Sequence, residues 1–309
     1  MSQWVTYQDT HDCFFCVVDL HAMTLPWDPE ALPAQVRSTA AILMAAGIDP
    51  KRSVLFVQSD VPAHSELAWV LTCIARMGEL RRMVQFKERS RGRSETVGAA
   101  LLTYPVLQAA DVLLYRTHGV PVGEDQRQHI ELTRDLASRF NGTFGEVFVV
   151  PEVWLPQAGA RIMALDDPLQ KMSKSAPRPE SKILVVDPPD VLARKVRSAV
   201  TDSGREVRAS EDKPAITNLL TIYSVVEGTP VGELEERFRD SGYGDFKKAL
   251  AEAVIEFLRP VRERYEEIMT DPGALTKVLA SGAEAAAVYA EETMADVWQA
   301  TGLGSRPPP

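Results

Sequence analysis

Two short apolar segments separated by a helical pattern constrain the fold of this chain more than any other feature of its sequence. Residues 13–20 (CFFCVVDL) and 53–59 (SVLFVQS) are rich in valine and phenylalanine, which is typical of strands buried on both faces. The residues between them predict a helix, with Asp28 as N-cap, Pro29 at the first helical position and Gly47 near the end. Strands joined by a crossover helix pair in parallel, so we expect an α/β domain with a parallel sheet.

The same alternation continues further along the chain. Residues 119–126 (GVPVGEDQ) are strand-like and lead into a predicted helix, in which Leu132, Leu136 and Phe140 lie on one apolar face. Residues 144–151 (FGEVFVVP) predict another strand. These elements extend the expected α/β domain.

The rest of the chain shows helical rather than strand-like periodicity. Apolar residues three and four apart predict a helix over 246–268, and a further helix is predicted over 283–300. The polar, proline-containing segment 166–182 predicts a mobile loop. We therefore expect an α/β domain over 1–187, followed by an all-α domain over 188–309.

Composition excludes several classes of protein. The chain has 309 residues, 45% of them hydrophobic, which is enough for a substantial core. It contains no apolar run near the roughly 20 residues that a membrane helix needs, and its start lacks the basic and apolar segments of a secretory signal. We therefore expect a cytoplasmic protein that does not bind a membrane. The net charge of −9 excludes a surface covered with basic residues, although a local basic patch could still bind RNA.

The cysteines predict neither disulfides nor a metal site. Three cysteines are too few for a disulfide framework. Cys13 and Cys16 form a C-x-x-C pair within a predicted strand, where positions three apart point to opposite faces. The two thiols would not converge on one ion, so we expect no metal ligands.

The most specific motif is KMSKS, formed by Lys171, Met172, Ser173, Lys174 and Ser175. On a loop, the two lysines can neutralise polyphosphate charge, and the hydroxyl groups can donate hydrogen bonds to it. Isolated lysine-rich loops are commonly just solvated. An unbroken KMSKS directly after an α/β domain instead predicts a loop that closes over a nucleotide.

A second pattern places Tyr104, Gln108 and Asp111 on one face of a predicted helix, at spacings of four and three. A carboxylate among apolar residues can accept a hydrogen bond from an indole N–H or a phenol O–H, and such a site rejects ligands that lack the donor. Read alone, the pattern favours an amphipathic helix with an ion-paired Asp111.

A third pattern, residues 120–126 (VPVGEDQ), lies where a predicted strand leads into a helix. Ligands of α/β sheets bind outside the carboxyl ends of strands, and helix N-termini attract anions. Gly123 would allow close approach of the backbone to a ligand, and an acidic residue here could bind ribose hydroxyls. An ordinary strand–helix junction with Asp125 as a cap explains the residues as well.

These motifs occur in an ordered series that resembles the bacterial tryptophanyl-tRNA synthetases, a group of class I aminoacyl-tRNA synthetases. The matching segments cover nearly the whole chain and are, in order, VDLHAMT, LFVQSDVPAHSELAWVL, GELRRMVQFKERS, TYPVLQAADVLLY, VPVGEDQRQHIELTRDLA, GARIMAL, KMSKS, AVTDS, ITNLL and GYGDFK. The resemblance implies a Rossmann-like catalytic domain followed by a helical anticodon-binding domain and a C-terminal helix.

The resemblance also implies roles for individual residues. Asp111 would accept the indole N–H of tryptophan. The residues implied to line the tryptophan pocket around it are Tyr104, His21, Gln108, Val122 and Gln126, although His21 also fits a core histidine bonded to a neighbour. The residues implied to contact ATP are Gly123, Glu124, Asp125, Ile162, Lys171, Lys174 and Ser175, with Lys87 and Arg89 reaching the pyrophosphate.

Among the departures of the sequence from the family, two bear on activity and on the choice of amino acid. No H-x-G-H or T-x-G-N segment occurs, so we expect that the first strand and the ATP-binding HIGH-like signature are missing from the sequence as given. Gln108 stands where well-known bacterial members have methionine; a glutamine there resembles tyrosine-specific relatives, although tryptophan enzymes with glutamine exist.

Three hypotheses remain open from the sequence. The first is an active tryptophan–tRNA ligase whose true start lies upstream. The second is a catalytically impaired paralogue that binds tryptophan or RNA, and the third is a tyrosine-specific relative. The implied partners are L-tryptophan, ATP with Mg²⁺ as co-substrate, tRNA(Trp) and a second copy in a homodimer, without a tightly bound cofactor. Candidate RNA contacts are Arg194, Lys195, Arg197, Lys247 and Lys248, although exposed basic residues on helices are commonly just solvated.

Overall fold

The computed structural model describes residues 2–90, 98–155, 161–173 and 176–303, with the backbone alone at residues 2 and 88–90. The chain divides into two compact units. The first unit comprises Met1–Gln157 and Asp271–Pro309, and the second comprises Ala158–Thr270. None of the described helices is long and apolar enough to cross a membrane.

The elements of the first unit are α1 (Ser2–Tyr7), β1 (Phe14–Val17), α2 (Asp19–Ala22), α3 (Leu32–Ala45), β2 (Val54–Val57), α4 (Ala63–Ile74), α5 (Met77–Arg82), α6 (Val84–Ser90), α7 (Ala100–Leu113), β3 (Gly119–Pro121), α8 (Arg127–Phe144), β4 (Glu152–Trp154) and α13 (Pro272–Thr301). The elements of the second unit are α9 (Pro189–Ser198), α10 (Pro214–Glu227), α11 (Val231–Arg237) and α12 (Tyr243–Thr270).

The strands form two parallel pairs. β1 pairs with β2, with Phe14 opposite Val54, and α3 connects them. β3 pairs with β4, with Gly119 opposite Glu152, and α8 connects them. Both pairs have the crossover connection that parallel strands require. The predicted α/β arrangement is therefore confirmed.

Two predicted boundaries are wrong for local physical reasons. The helix predicted from Pro29 begins at Leu32, and the Asp28 carboxylate instead accepts a hydrogen bond from the Glu30 amide at 2.9 Å. Pro33 lacks an N–H, so it fits in the first turn of a helix from Leu32, where the missing donor costs nothing. In a helix starting at Pro29, the same proline would leave a carbonyl without its helical partner.

The strand predicted over 144–151 is not formed; β4 follows it instead. The Asn141 side chain bonds this backbone in place of a neighbouring strand. Its Oδ1 accepts from the amides of Val147 and Phe148 at 3.1 and 3.0 Å, and its Nδ2 donates to the Phe148 carbonyl at 2.8 Å. The apolar pattern there reflects burial, since Phe148 is 4% exposed.

Each unit has its own hydrophobic core. The core of the first unit combines Phe56 of β2, Leu71 of α4 and Phe140 of α8 with small residues of α13, among them Ala286 and Ala290. The second unit is built around helices, with a core that includes Leu192, Leu220, Phe246 and Leu250.

The helix α13 packs directly on the backbone of β2. A Cβ atom added to Gly282 would lie 1.9 Å from the Leu55 carbonyl oxygen. Asp271 caps the start of α13 by accepting from the Ala274 amide at 2.9 Å, and Gly302 ends it in the left-handed conformation with φ of +72°. The C-terminal helix is thus a structural part of the first unit.

Candidate active site

The Asp111 carboxylate, near the end of α7, is the centre of a buried polar network. Its Oδ1 accepts a hydrogen bond from Gln58 Nε2 at 2.6 Å and lies 2.6 Å from His64 Nδ1. Gln58 and His64 are fully buried, whereas the side chain of Asp111 retains 11% of its exposure. Two polar side chains therefore hold one carboxylate oxygen in place.

His21 joins this network from α2, just after β1. Its Nδ1 lies 3.1 Å from Gln58 Nε2 and 3.8 Å from Asp111 Oδ2. Its Nε2 is buried without a hydrogen-bond partner among the described residues. His21 is thus bonded to a neighbour, as a core histidine would be, and also lies beside the Asp111 carboxylate, as the pocket assignment requires.

Tyr104 and Gln108, which lie two turns and one turn before Asp111 on α7, bond to a second group of side chains. The Tyr104 hydroxyl lies 2.9 Å from His129 Nε2, and Gln108 Nε2 donates to Gln126 Oε1 at 3.4 Å. Burial, reinforced by the nearby His21, lowers the pKa of His129 to about 4, so this ring is neutral at pH 7. The predicted polar face of α7 is therefore partly buried and hydrogen-bonded.

In the segment between β3 and α8, Gly123 has an extended backbone, with φ of −69° and ψ of 163°, and its carbonyl accepts from the Gln126 amide at 2.9 Å. A Cβ atom there would lie 2.8 Å from Asp125 Oδ1, which is a side-chain atom that can rotate away. Val122 extends β3 by donating its amide to the Trp154 carbonyl at 3.1 Å. Glu124 pairs with Arg127 at 2.7 Å in the following turn. The segment thus places Asp125 and Gln126 at the carboxyl end of β3.

Lys87 lies on α6, close to this segment in the fold. It is exposed, and its neighbour Gln85 donates to the Asp125 carbonyl at 3.4 Å. The backbone of Arg89 belongs to the same helix, but its side chain lies outside the described residues.

In the second unit, the two segments of the predicted ATP site lie side by side. Met163 and Lys171 form an antiparallel bridge, and the Met172 amide donates to the Ile162 carbonyl at 3.1 Å. Asn218 of α10 fixes Met163 by bonding both its amide and its carbonyl, at 2.8 and 2.9 Å. Ser173 follows directly, and Lys174 and Ser175 lie outside the described residues.

A cavity of about 690 Å³ opens beside Asp111 in the first unit. Aromatic side chains line it, among them Phe14, Phe56 and Trp154, and its volume lies in the range of small-molecule sites. Of the six residues predicted to bind tryptophan, Asp111 lines the cavity, and the remainder lie outside its lining.

Sequence reasoning gave no role to Gln58, His64, Tyr115 or His129. Gln58 directly follows β2, at the strand end where ligands of parallel sheets bind, and this position was the available signal. His64 lies in an apolar helix and is recognised only through its partners. Among the residues that the structure describes, no group of three or more histidine, cysteine or acidic side chains is placed to hold a metal ion.

One predicted RNA contact is wrong. Lys195 is 3% exposed, and its Nζ lies 2.6 Å from Asp187 Oδ2. A long cationic side chain of this kind is buried only when it is paired, so this lysine is a structural ion pair inside the second unit.

Comparison with known proteins gives a consistent result. Residues 1–259 match the family model of the class I tRNA synthetases (W and Y). The chain is 53% identical over 304 residues to the tryptophan–tRNA ligase of Caldanaerobacter subterraneus subsp. tengcongensis, covering 98% of this chain and 92% of that protein. It is 49% identical over 307 residues to the tryptophan–tRNA ligase of Halalkalibacterium halodurans, covering 99% of this chain and 92% of that protein.

A solved structure agrees with these relatives. The tryptophanyl-tRNA synthetase from Campylobacter jejuni, complexed with ADP and tryptophan, superposes with a TM-score of 0.86 at 34% identity. The match covers 98% of this chain and 93% of that one. The predicted fold class, a Rossmann-like domain followed by a helical domain, is confirmed.

Proposed function

This chain belongs to the class I tRNA synthetases for tryptophan and tyrosine, and we propose that it activates L-tryptophan with ATP and transfers it to tRNA(Trp). Relatives about half identical over nearly the whole chain are named tryptophan–tRNA ligases. A neighbouring structure holds tryptophan together with ADP. Both findings favour tryptophan over tyrosine as the amino acid.

The first step forms an acyl phosphate bond. The tryptophan carboxylate attacks the α-phosphorus of ATP, tryptophanyl-adenylate forms, and pyrophosphate leaves with the electron pair of the broken P–O bond. Catalysis comes from positioning and from stabilising the charge on the leaving group, with Mg²⁺ carried by the phosphates of the nucleotide. We assign the stabilisation of this charge to Lys171, Ser173, Lys174 and Ser175 of the KMSKS loop, with Lys87 and Arg89.

In the second step, a ribose hydroxyl of the terminal adenosine of the tRNA attacks the acyl carbon, and AMP leaves. No nucleophilic side chain is needed. We assign Gly123, Glu124, Asp125 and Ile162 to contacts with ATP. The hydrogen bond from the Met172 amide to the Ile162 carbonyl supports the assignment of Ile162, because it joins this residue to the KMSKS segment.

The observation that carries this proposal is the Asp111 carboxylate, whose Oδ1 accepts a hydrogen bond from the buried Gln58 amide and lies 2.6 Å from Nδ1 of the buried His64. An ionised carboxylate is an acceptor only, so a ligand beside it must bring a donor. The indole N–H of tryptophan is such a donor. Around it we assign His21, Tyr104, Gln108, Val122 and Gln126 to the tryptophan pocket.

We extend the proposal to assembly, domains and location. The first unit exposes Trp69 by 70%, Met77 by 52% and Val84 by 49%, on the neighbouring helices α4, α5 and α6. Large exposed apolar side chains favour burial against another surface, and a second copy in a homodimer is our assignment. We place catalysis in residues 1–187, anticodon reading in 188–309, and the enzyme in the cytoplasm. Sedimentation as a monomer at micromolar concentration would contradict the dimer.

Tryptophan-dependent exchange of pyrophosphate into ATP tests the function. The wild-type chain should support exchange with tryptophan and not with tyrosine. Asp111→Asn should raise the KM for tryptophan about 10- to 100-fold, because a hydrogen bond to a charged group is worth about 1.5–3 kcal/mol, and it should leave the KM for ATP nearly unchanged. Asp135→Asn, at an exposed position on α8, is the matched control. Exchange with tyrosine alone would overturn the amino acid specificity, and exchange with neither would overturn the reaction.

A further inference from the structure

The proposed function leaves one polar pair without a role: the buried His64 of α4 and the partly buried Tyr115, just after α7. His64 is fully buried, and its two ring nitrogens each have a partner. Nδ1 lies 2.6 Å from Asp111 Oδ1, and Nε2 lies 2.7 Å from the Tyr115 hydroxyl. The three side chains thus form one chain of hydrogen bonds that ends at the carboxylate of the candidate site.

The direction of each hydrogen bond follows from the chemistry of the partners. An ionised carboxylate only accepts, so Nδ1 must carry the proton in the bond to Asp111. When the ring is neutral, the lone pair is on Nε2 and the Tyr115 hydroxyl donates to it. Of the two neutral tautomers, the one with the proton on Nδ1 satisfies all three side chains.

Tyr115 is well placed to fix this tautomer. Its ring stacks on Phe14 with centroids 4.7 Å apart, and it meets the ring of Phe56 edge-on at 5.6 Å. Burial, with smaller contributions from Cys16 and Asp111, raises the pKa of Tyr115 well above its usual value, so its hydroxyl keeps the proton that it donates. The packed ring cannot turn away without disrupting these aromatic contacts.

These hydrogen bonds fix one oxygen of the Asp111 carboxylate. Oδ1 of Asp111 receives both the Gln58 amide at 2.6 Å and His64 Nδ1 at 2.6 Å. Among the described residues, the neighbour of Oδ2 is His21 Nδ1 at 3.8 Å, which is beyond hydrogen-bond distance. With Oδ1 saturated and held, Oδ2 keeps its acceptor capacity for a ligand.

We propose that His64 is a positioning residue for amino acid selection: its Nδ1–H, oriented by Tyr115, fixes Asp111 so that Oδ2 selects ligands that carry an N–H donor. This inference rests on the proposed function and adds to it the residue that sets the strength of selection. A carboxylate that can rotate selects poorly, because its acceptor is no longer aimed at one point.

The test compares tryptophan with its benzothiophene analogue, in which sulfur replaces the indole N–H. The readout is the ratio of kcat/KM values for the two amino acids in pyrophosphate exchange. His64→Leu keeps the volume but removes the donor, and it should lower this ratio about 10- to 100-fold, mainly through the KM for tryptophan. His64→Asn places an amide N–H near the position of Nδ1 and should restore most of the ratio. The KM for ATP should stay nearly constant in both variants.

Each outcome bears on the proposal. An active His64→Leu variant that selects tryptophan as strongly as the wild type would overturn it. If thermal unfolding and circular dichroism show that this variant does not fold, the inference is tested by the tautomer of His64 in the wild-type protein. ¹⁵N NMR should find the proton on Nδ1, and a proton on Nε2 alone would refute the inference. If the wild type supports no exchange with tryptophan, the proposed function fails, while the NMR result still decides the role of His64.

Discussion

Replacing Gly282 by alanine adds one methyl group and has two effects of opposite sign on the free energy of unfolding. In a helix interior alanine is favoured over glycine by about 1 kcal/mol, so an open site would gain stability. At Gly282 the added Cβ would lie 1.9 Å from the Leu55 carbonyl oxygen and 2.7 Å from its carbonyl carbon. Both are backbone atoms of β2, so no side-chain rotation removes the clash.

The magnitude follows from what must move. Relief of the clash requires α13 and β2 to separate, and overpacking of this kind costs about 1–3 kcal/mol. Separation also loosens the neighbouring contacts of Ala283 and Ala286, so the upper end applies. Subtracting the helical gain of about 1 kcal/mol leaves a net loss of about 2 kcal/mol, which lowers the Tm by about 4–8 °C in a unit of this size.

Gly142 provides the matched control. It lies in α8 of the same unit, and a Cβ atom there would meet nothing within 4 Å. Gly142→Ala should therefore raise the Tm by about 2–4 °C, from a gain of up to about 1 kcal/mol. Thermal and urea unfolding of the two variants beside the wild type measure both effects. A Gly282→Ala variant that gains stability as Gly142→Ala does would refute the close packing of α13 on β2.

Two further predictions concern buried ionisable groups. The pKa of His129 is about 4 in the folded state and about 6.5 in the unfolded state, so between these pH values the unfolded chain binds one proton more than the folded chain. The free energy of unfolding should therefore fall by at most about 1.4 kcal/mol per pH unit as the pH is lowered from 6.5 to 4. In urea unfolding at a series of pH values, the free energy of unfolding of His129→Leu should depend less on pH. A curve for His129→Leu as steep as that of the wild type would contradict this. Lys195→Met leaves Asp187 buried without its cation and should cost about 3–5 kcal/mol in urea unfolding, whereas Lys195→Met combined with Asp187→Asn should recover part of the loss. A single variant as stable as the wild type would show that the pair is not needed.

Local patterns in the sequence predicted the elements well where one face of an element is buried along its whole length. Leu132, Leu136 and Phe140 recur every four residues and are all buried in α8. Prediction failed where a single side chain redirected the backbone. Asn141 bonds the segment after α8 and prevents the expected strand, and the pattern of apolar residues does not reveal such a bond.

In the candidate site, too, the local sequence pattern predicted one residue, and contacts between distant segments of the chain could not be predicted. Asp111 was found because its neighbours on the same helix carry a recognisable spacing. Its partners Gln58 and His64 lie 53 and 47 residues away in sequence, so their contact is set by the packing of α4 and β2 against α7. Lys195 was mistaken for a surface residue because its partner Asp187 lies outside its own helix, before α9 begins.

The two-part composition of the first unit has a consequence for how the protein is made. Residues up to Gln157 share one core with α13, which the ribosome adds only after the whole of Ala158–Thr270. During synthesis, the backbone of β2 that packs against α13 therefore stays exposed until α13 has been made. The second unit is one continuous segment and can fold before that point. Nonsense mutations that remove α13 should for this reason yield products that chaperones retain and proteases degrade, even though all of the predicted site residues have been translated.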